Sequence, residues 1–330
     1  MIDLHLHLDG SLSIDDFIYL AKKDGVNLGD DFPNNIFVEK NCKSLEQYLT
    51  RFDLPCSLMQ SEENIAYVVE SLVNRLYKLG YIYAEIRFAP LLHTLKGLSE
   101  EQIINAAIAG LNKGISGKKD FDANLILCCM RQVSDEINLK TIEAAIKINN
   151  PKVVSIDLAG PEAFKPTISY LDLFNKAKEN NLNIIIHAGE ACGNESIVEA
   201  LELGAKRIGH GVHLSFEEGN LSKVKNTYFE FCPTSNIQTA SIDKYENFPL
   251  RKFMENGLKV TLNADNMTVS NTDVFQEFKV MKDTFNLTKE EIISILDNSV
   301  DGAFLSHNEK DKLRQLINLK IDWFIEEIKK

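Results

Sequence analysis

The sequence contains eight short β-rich runs, and most of them are separated by amphipathic segments of helical length. The first run covers residues 2–8, and the others lie at 81–90, 123–131, 152–160, 182–190, 207–211, 226–233 and 257–265. Strands that alternate with helices pair in parallel, because each helix carries the chain back across the sheet through a right-handed crossover. Eight such units predict an α/β protein that closes into a (β/α)₈ barrel, the TIM-barrel architecture.

One segment interrupts this alternation. Residues 44–79 place two helical stretches between the first and second strands, and further helices follow the eighth strand. The first stretch has an apolar stripe at helical spacing, formed by Leu45, Tyr48, Leu49 and Phe52. The stripe is about equally compatible with a lid that covers a pocket and with a helix that packs on the barrel. Because the chain has no linker-like or low-complexity run, we expect a single domain over residues 1–330.

The charge balance limits the possible partners. The chain has 36 basic and 48 acidic residues and a formal net charge of -12. Such a chain repels phosphate backbones and anionic lipid headgroups, so we expect no nucleic-acid partner and no membrane partner. No run approaches the roughly 20 apolar residues of a membrane span, and the acidic N-terminus lacks the regions of a signal peptide. We therefore expect a cytoplasmic protein that acts on a small neutral or cationic molecule.

Two histidines share one face of the first strand. Its apolar face consists of Ile2, Leu4, Leu6 and Leu8, and its polar face of Asp3, His5, His7 and Asp9. Later strand ends carry Asp157, Gly160, His187, Glu190, His210, Asp265 and Asn266. The C-terminal ends of all strands meet at one mouth of such a barrel. Four of the chain's seven histidines should therefore converge there, which indicates a metal site. We predict no site role for His93.

Imidazole nitrogens combined with a carboxylate favour Zn²⁺, with one coordination position left open for water. The predicted ligands are His5, His7, His187 and Asp265, and we expect one Zn²⁺ per chain. Such a metal lowers the pKa of bound water from roughly 15.7 toward about 7, which supplies a nucleophile. Glu190 is the predicted general acid, and His210 is predicted to orient the water and share its proton with Asp265. Asp9 could belong to the site as well, or it could instead cap the turn before the first helix.

Eight ordered stretches resemble the motifs of the adenosine deaminase family, within the metal-dependent amidohydrolase superfamily. They are HLHLDGSL, EIRFAP, LILCCMR, DLAGPE, HAGE, RIGHG, CPTSN and NADN. The resemblance implies a zinc enzyme of purine metabolism that hydrolyses adenosine or 2'-deoxyadenosine to inosine or 2'-deoxyinosine and ammonia. It also implies the same four zinc ligands, with Glu190 as the acid that protonates purine N1 and His210 as the partner of the water.

The resemblance further implies how the substrate is held. Gly160 would present its backbone N–H to purine N3, Asp9 would accept a hydrogen bond from the ribose 5'-hydroxyl, and His7 would border the substrate as well as the metal. Many family members carry a second aspartate, facing purine N7, where this chain has Asn266. A side-chain amide can donate to N7 without needing a carboxyl group held protonated.

Three other interpretations remain. A related deaminase would act on adenine or a modified adenosine, although Asp9 rather than glutamate favours a nucleoside. A binding protein would keep the metal as a structural element, but such a site needs neither Glu190 nor His210. A two-metal amidohydrolase would open a cyclic amide or ester, but no lysine stands at the end of the fourth strand. The sugar preference, the native metal, the oligomeric state and regulation stay open.

Overall fold

Eight parallel strands form the centre of the computed structural model, within residues 1–39 and 42–330, which the structure describes. The strands are β1 Ile2–His7, β2 Tyr83–Phe88, β3 Asp122–Met130, β4 Val153–Ala159, β5 Ile185–Ala188, β6 Arg207–His210, β7 Tyr228–Phe231 and β8 Lys259–Leu262. They pair in order from β1 to β4 and from β5 to β8. Bridges between Ile156 and Ile184 and between Leu6 and Asp265 join the two halves. The predicted barrel of eight parallel strands is confirmed.

Helices surround this barrel. In the described part of the chain they are α1 Ile14–Asp24, α2 Leu45–Leu49, α3 Asp53–Leu58, α4 Glu62–Leu79, α5 Glu100–Ile115, α6 Asp135–Ile148, α7 Leu171–Glu179, α8 Asn194–Glu202, α9 Glu218–Val224, α10 Pro233–Gln238, α11 Leu250–Glu255, α12 Val274–Phe285, α13 Lys289–Gly302 and α14 His307–Glu327. Short 3₁₀ turns lie at Asn34–Ile36, Thr50–Phe52, Pro90–His93, Glu162–Phe164, Thr167–Tyr170 and Tyr245–Asn247. Among the described residues, no helix combines the length and apolar character of a membrane span.

Capping residues explain where several helices begin and end. Ser13 and Asp16 form a capping box at the start of α1, in which each side chain bonds the other residue's backbone N–H. A serine or threonine cap of this kind contributes about 1 kcal/mol. At the C-terminal end of α4, Gly80 adopts φ +93, the left-handed conformation that glycine allows at low cost. These caps therefore determine where the helices end and where the loops at the ends of the barrel begin.

The insertion between β1 and β2 differs from the prediction in one respect. The expected single helical stretch at residues 44–59 is divided into α2, a 3₁₀ turn and α3. Pro55 explains the division, because it has no N–H and its ring would clash with the preceding turn of a continuous helix. In α3 the proline stands in the first turn, where no intrahelical N–H bond is required. The predicted extra helices after β8 are present as α12 to α14.

Charged side chains occupy the middle of the barrel, where TIM barrels usually hold apolar layers. Arg87 pairs with Asp157 at 2.8 Å and with Glu230 at 2.8 Å, and Arg207 pairs with Glu230 at 2.5 Å and with Glu85 at 2.6 Å. All five side chains have no exposed surface. We call these five residues the barrel network. It carries two guanidinium groups against three carboxylates, and it lies directly beneath the predicted metal ligands.

Candidate active site

The four predicted metal ligands converge at the C-terminal end of the barrel. The Nε2 atoms of His7 and His187 are 3.2 Å apart, and Oδ1 of Asp265 lies 3.4 Å from Nε2 of His7 and 3.5 Å from Nε2 of His5. Zinc bonds of about 2.0–2.1 Å in a tetrahedron separate neighbouring ligand atoms by roughly 3.3–3.4 Å. Nε2 of His5 is buried without a hydrogen-bond partner in the described structure. This donor set therefore fits a tetrahedral divalent cation.

Backbone pairing between the first strand and the end of the last strand brings these donors together. The N–H of His7 donates to the carbonyl of Asp265 at 2.7 Å, and the N–H of Asp265 donates to the carbonyl of His5 at 2.9 Å. Asp265 and His210 both have left-handed backbones, with φ +61 and φ +62. Such a conformation costs about 1–3 kcal/mol for a residue other than glycine and is typical of functional sites. The chain accepts this strain at two predicted catalytic positions.

Two carboxylates of the barrel network hold the ligand imidazoles from behind. Nδ1 of His5 lies 2.7 Å from Glu230, and Nδ1 of His187 lies 3.1 Å from Asp157. An ionised carboxylate only accepts hydrogen bonds, so each Nδ1 carries the hydrogen and each Nε2 keeps a lone pair toward the cluster. Arg87 bonds both carboxylates and so fixes the two imidazoles relative to each other.

The protonation states of His5, His7 and Asp265 suit metal binding, whereas Asp157 outweighs burial and raises the pKa of His187. Burial lowers the pKa of His5 to about 4 and holds the pKa of His7 well below its usual range, so both imidazoles are neutral at pH 7. Burial alone would raise the pKa of Asp265, but its contacts with His5 and His7 hold that pKa well below the ordinary value. Neutral imidazoles and an ionised carboxylate are the forms that a metal ion requires.

Glu190 and His210 stand beside the cluster. Glu190 is only 3% exposed, and burial raises its pKa, although His210 opposes that shift. Its carboxyl group lies 3.6 Å from Nε2 of His210 and accepts a hydrogen bond from Thr239 at 3.3 Å. Nδ1 of His210 lies 3.1 Å from the side-chain amide nitrogen of Asn236. A buried carboxyl of raised pKa can hold and donate a proton near neutral pH.

A cavity of about 590 Å³ opens onto the cluster. Its floor includes the predicted substrate residues His7, Asp9, Gly160 and Asn266 together with His187, Glu190, His210 and Asp265. One wall comes from α2, α3 and the turn between them, through Leu45, Tyr48, Leu49, Phe52, Asp53, Cys56 and Ser57. The apolar stripe of residues 45–52 therefore lines one wall of the cavity. Ser13 caps α1, and Oδ1 of Asp9 has no hydrogen-bond partner in the described structure.

Two glycines make room for the polar groups of the cavity. Gly160 has φ +93, and a Cβ atom there would lie 2.4 Å from the side-chain oxygen of Gln132. A Cβ atom on Gly10 would lie 1.9 Å from Oδ1 of Asn266. Asn266 is buried, and this oxygen has no hydrogen-bond partner in the described structure. Gly10 thus allows the amide of Asn266 to lie at the cavity wall.

Four residues of the site were not predicted to have a role. Glu230 and Arg87 lie in strands, and their only sequence signal is a charged side chain where a barrel strand is normally apolar. Glu162 accepts hydrogen bonds from the loop that carries Glu190. His93 is fully buried, and its Nε2 lies 3.6 Å from Oδ1 of Asp9. Nothing in the local pattern around His93 distinguishes it from an ordinary loop residue.

Comparison with known sequences identifies relatives along nearly the whole chain. The family model described as adenosine deaminase matches residues 1–320. The adenosine deaminase of Haemophilus ducreyi is 42% identical over 323 residues, covering 95% of this chain and 94% of the relative. That of Clostridium perfringens is 40% identical over 320 residues, covering 95% of this chain and 96% of the relative.

Solved structures share the fold over the same extent. Adenine deaminase from Arthrobacter aurescens superposes with a TM-score of 0.89 at 23% identity, covering 97% of this chain and 98% of that chain. The N6-methyl-AMP deaminase from Arabidopsis thaliana gives 0.85 at 25% identity and covers 96% of both chains. An amidohydrolase from Burkholderia ambifaria, crystallised with bound Zn, gives 0.88 at 17% identity, covering 99% of this chain and 92% of that chain. Together with the matching sequences, the site geometry leads to one conclusion: the chain belongs to the adenosine deaminase family.

Proposed function

We propose that this protein is a zinc-dependent adenosine deaminase, which hydrolyses adenosine and 2'-deoxyadenosine to inosine and 2'-deoxyinosine with release of ammonia. We propose also that residues 1–330 act as one catalytic domain. The observation that carries the proposal is the position of Glu190. A buried carboxyl group of raised pKa stands beside a cluster of metal donors in a cavity large enough for a nucleoside.

One Zn²⁺ per chain would be held by His5, His7, His187 and Asp265. When bound, a metal of this kind supplies a water of lowered pKa as the nucleophile. The chain contributes the geometry around it. Glu230 and Asp157 fix the tautomers of His5 and His187, and buried Glu190, whose pKa is raised, would be the proton donor to the substrate.

Proton transfers by Glu190 and His210 account for the remaining chemistry. Attack of water at C6 breaks the C6–N1 double bond, and Glu190 donates a proton to N1 so that no charge accumulates on the ring. His210 orients the water and, with Asp265, takes the proton that it gives up. That proton passes to the 6-amino group, the bond from C6 to the amino nitrogen breaks, and ammonia leaves. The C6 hydroxyl proton returns to Glu190 as the C6 carbonyl of the product forms. Water and adenosine are thus converted to inosine and ammonia with all atoms accounted for.

The remaining cavity residues would orient the nucleoside. The N–H of Gly160 would donate to purine N3, and the amide of Asn266 would donate to purine N7. Asp9, whose Oδ1 is buried without a partner in the described structure, would accept from the ribose 5'-hydroxyl. His7 borders the same cavity. These contacts would place purine C6 over the cluster of proposed metal ligands and purine N1 toward Glu190.

A substrate panel tests the proposal. Metal-replete protein should deaminate adenosine and 2'-deoxyadenosine, monitored by ultraviolet absorbance and by release of ammonia, and should contain one zinc per chain by elemental analysis. Adenine and N6-methyl-AMP should react far more slowly. A strong preference for free adenine or for the methylated nucleotide would replace the proposed substrate, and two metals per chain would overturn the proposed site.

Removal of the Asp9 carboxylate is expected to affect only substrates that have a 5'-hydroxyl. The Asp9→Ala variant should lose about 10- to 100-fold in kcat/KM for adenosine, because a hydrogen bond to a charged group contributes about 1.5–3 kcal/mol. For 5'-deoxyadenosine, which lacks the hydroxyl, wild type and variant should differ by less than about threefold, well below that loss. Steady-state kinetics with both nucleosides check this. Equal losses for the two substrates would show that Asp9 does not bind the 5' end.

Asn266 offers a second test of substrate orientation. In the Asn266→Asp variant the side chain can donate to purine N7 only while protonated, so kcat/KM for adenosine should change and should fall more steeply as the pH rises. Metal content should be unchanged. The control substrate is 7-deazaadenosine, which has no N7 acceptor and should not distinguish the two proteins. No kinetic difference with adenosine would remove Asn266 from the proposed site.

A further inference from the structure

Glu162 lies behind the active site and has an unusual set of hydrogen-bond partners. It follows β4 and is only 3% exposed. Its carboxylate accepts four consecutive backbone N–H groups, from Gly189 at 2.6 Å, Glu190 at 2.9 Å, Ala191 at 2.7 Å and Cys192 at 2.9 Å. These donors belong to the loop between β5 and α8, and one of them is the backbone of the proposed general acid.

The loop has the geometry of an anion-binding nest. Successive backbone N–H groups that point the same way form a concave site for negative charge. Here the anion is a side chain of the same protein. Gly189 has φ +67, and a Cβ atom there would lie 2.5 Å from Ile197, so the loop is confined from the opposite side as well. Just before the loop, Arg131 donates to the carbonyl of His187 at 2.8 Å.

The charge of Glu162 strengthens this arrangement. Burial alone would raise the pKa of Glu162, but the hydrogen bonds from Ser196 and from the loop N–H groups hold that pKa below its ordinary value. The group is therefore ionised, and hydrogen bonds to an ionised carboxylate are roughly twice as strong as those between neutral groups. The neighbouring Glu190 shows the opposite shift, because burial raises its pKa. The pKa values of the two carboxyl groups are therefore shifted in opposite directions.

We propose that Glu162 is a positioning residue for catalysis, which fixes the 189–192 loop so that the side chain of Glu190 meets the purine ring. This inference rests on the proposed function and extends it to a residue outside the cavity. Displacement of a catalytic group by about 1 Å can cost about 100-fold in rate. The loop holds the acid through four hydrogen bonds to one carboxylate, so changing that carboxylate should affect the transition state much more than substrate binding.

The Glu162→Gln variant tests this role. Its amide nitrogen would face backbone N–H groups that now meet a carboxylate oxygen, so the loop should shift. We expect kcat for adenosine to fall by about 10- to 100-fold, with KM changed less than about threefold and zinc content unchanged. The matched control is Glu199→Gln, because Glu199 on α8 accepts only one backbone N–H, from Ile168 at 3.0 Å. Its kinetics should equal those of wild type.

A double mutant distinguishes positioning from a purely structural role. If Glu162 acts through Glu190, then Glu162→Gln should cost little in the Glu190→Gln background, because the acid is already absent. A nucleoside analogue with a tetrahedral, hydroxyl-bearing carbon at C6 should lose affinity in parallel with kcat/KM, whereas the product inosine should bind as before. Additive losses, or equal weakening of inosine and the analogue, would overturn the proposal.

Two further outcomes are informative. If Glu162→Gln does not fold, Glu162→Asp keeps the charge on a side chain shorter by one methylene, and it must fold and still lose kcat. Full kcat in either variant would overturn the positioning role. The proposed function would stay intact in that case, provided that the wild-type protein turns over adenosine. Lack of turnover by metal-replete wild type would instead overturn the proposed function itself.

Discussion

In the Glu190→Gln variant, kcat for adenosine is expected to fall by about 10²- to 10⁴-fold, while the protein retains one zinc per chain. Glutamine has nearly the same shape as glutamate but cannot deliver a proton to purine N1. Glu190 belongs to neither group of potential metal donors, so the metal should remain bound. Single-turnover and steady-state rates, measured with elemental analysis on the same preparations, check both parts of this expectation.

An exposed carboxylate near the same loop provides the control. Glu195 lies in the first turn of α8 and is exposed, so Glu195→Gln should leave kcat, KM and zinc content unchanged. If Glu190→Gln turned over adenosine at the wild-type rate, the proton would have to come from another group. The protein would be a metal-containing binding protein if neither wild type nor variant turned over any nucleoside of the panel.

The barrel could be predicted because its evidence is local. Alternating apolar residues at 2–8 and short β-rich runs at regular intervals indicate strands without reference to the rest of the chain. The boundaries were less accurate, since the run at 182–190 becomes the strand Ile185–Ala188. The flanking residues leave the sheet where they enter the loops at the two barrel rims. Pro55 also divided a stretch whose apolar spacing predicted one helix.

The convergence of the proposed metal donors could be predicted for a topological reason. In a parallel barrel every strand ends at the same mouth, so His7, His187 and Asp265 had to come close once the strands were assigned. No such rule applies to Glu162, His93 or the barrel network. Their partners are decided by how far a side chain reaches across the barrel or behind a loop. That information lies in the three-dimensional packing and is absent from the spacing of residues along the chain.

Glu230 contacts both the barrel network and a proposed metal ligand, so its replacement should weaken both the stability of the barrel and the proposed binding of zinc. It accepts hydrogen bonds from Nδ1 of His5 at 2.7 Å, from Arg87 at 2.8 Å and from Arg207 at 2.5 Å. Burial alone would raise the pKa of Glu230, but the two guanidinium groups hold it well below the ordinary value, so the group is ionised. In Glu230→Gln an amide nitrogen would face one of these donors, and two buried cations would lose a counter-charge.

We expect Glu230→Gln to lose about 3–5 kcal/mol of unfolding free energy, as when one partner of a buried ion pair is removed. Zinc affinity should fall about 10- to 100-fold, because His5 would lose the group that fixes its tautomer. Urea unfolding of the metal-free protein measures the first effect, and competition with a chromophoric chelator measures the second. The stability difference should shrink progressively as the pH falls below 4.5, the ordinary pKa of a glutamate, because the stabilisation by a carboxylate of lowered pKa is complete above that value and is lost as the pH falls toward the folded-state pKa.

Glu277→Gln separates the effect of losing a buried carboxyl from the effect of breaking the network. Glu277 is also fully buried, but its hydrogen bonds come from Thr234 and Thr272, and no cation pairs with it in the described part of the chain. Burial raises the pKa of Glu277 to about 7, so at pH 6 the native group is mostly neutral. Its replacement by a neutral amide should therefore change stability by less than about 1 kcal/mol and leave zinc affinity unaltered. Equal effects of the two substitutions would mean that the Glu230 charge contributes nothing beyond its volume, and the link between the barrel network and the metal site would have to be abandoned.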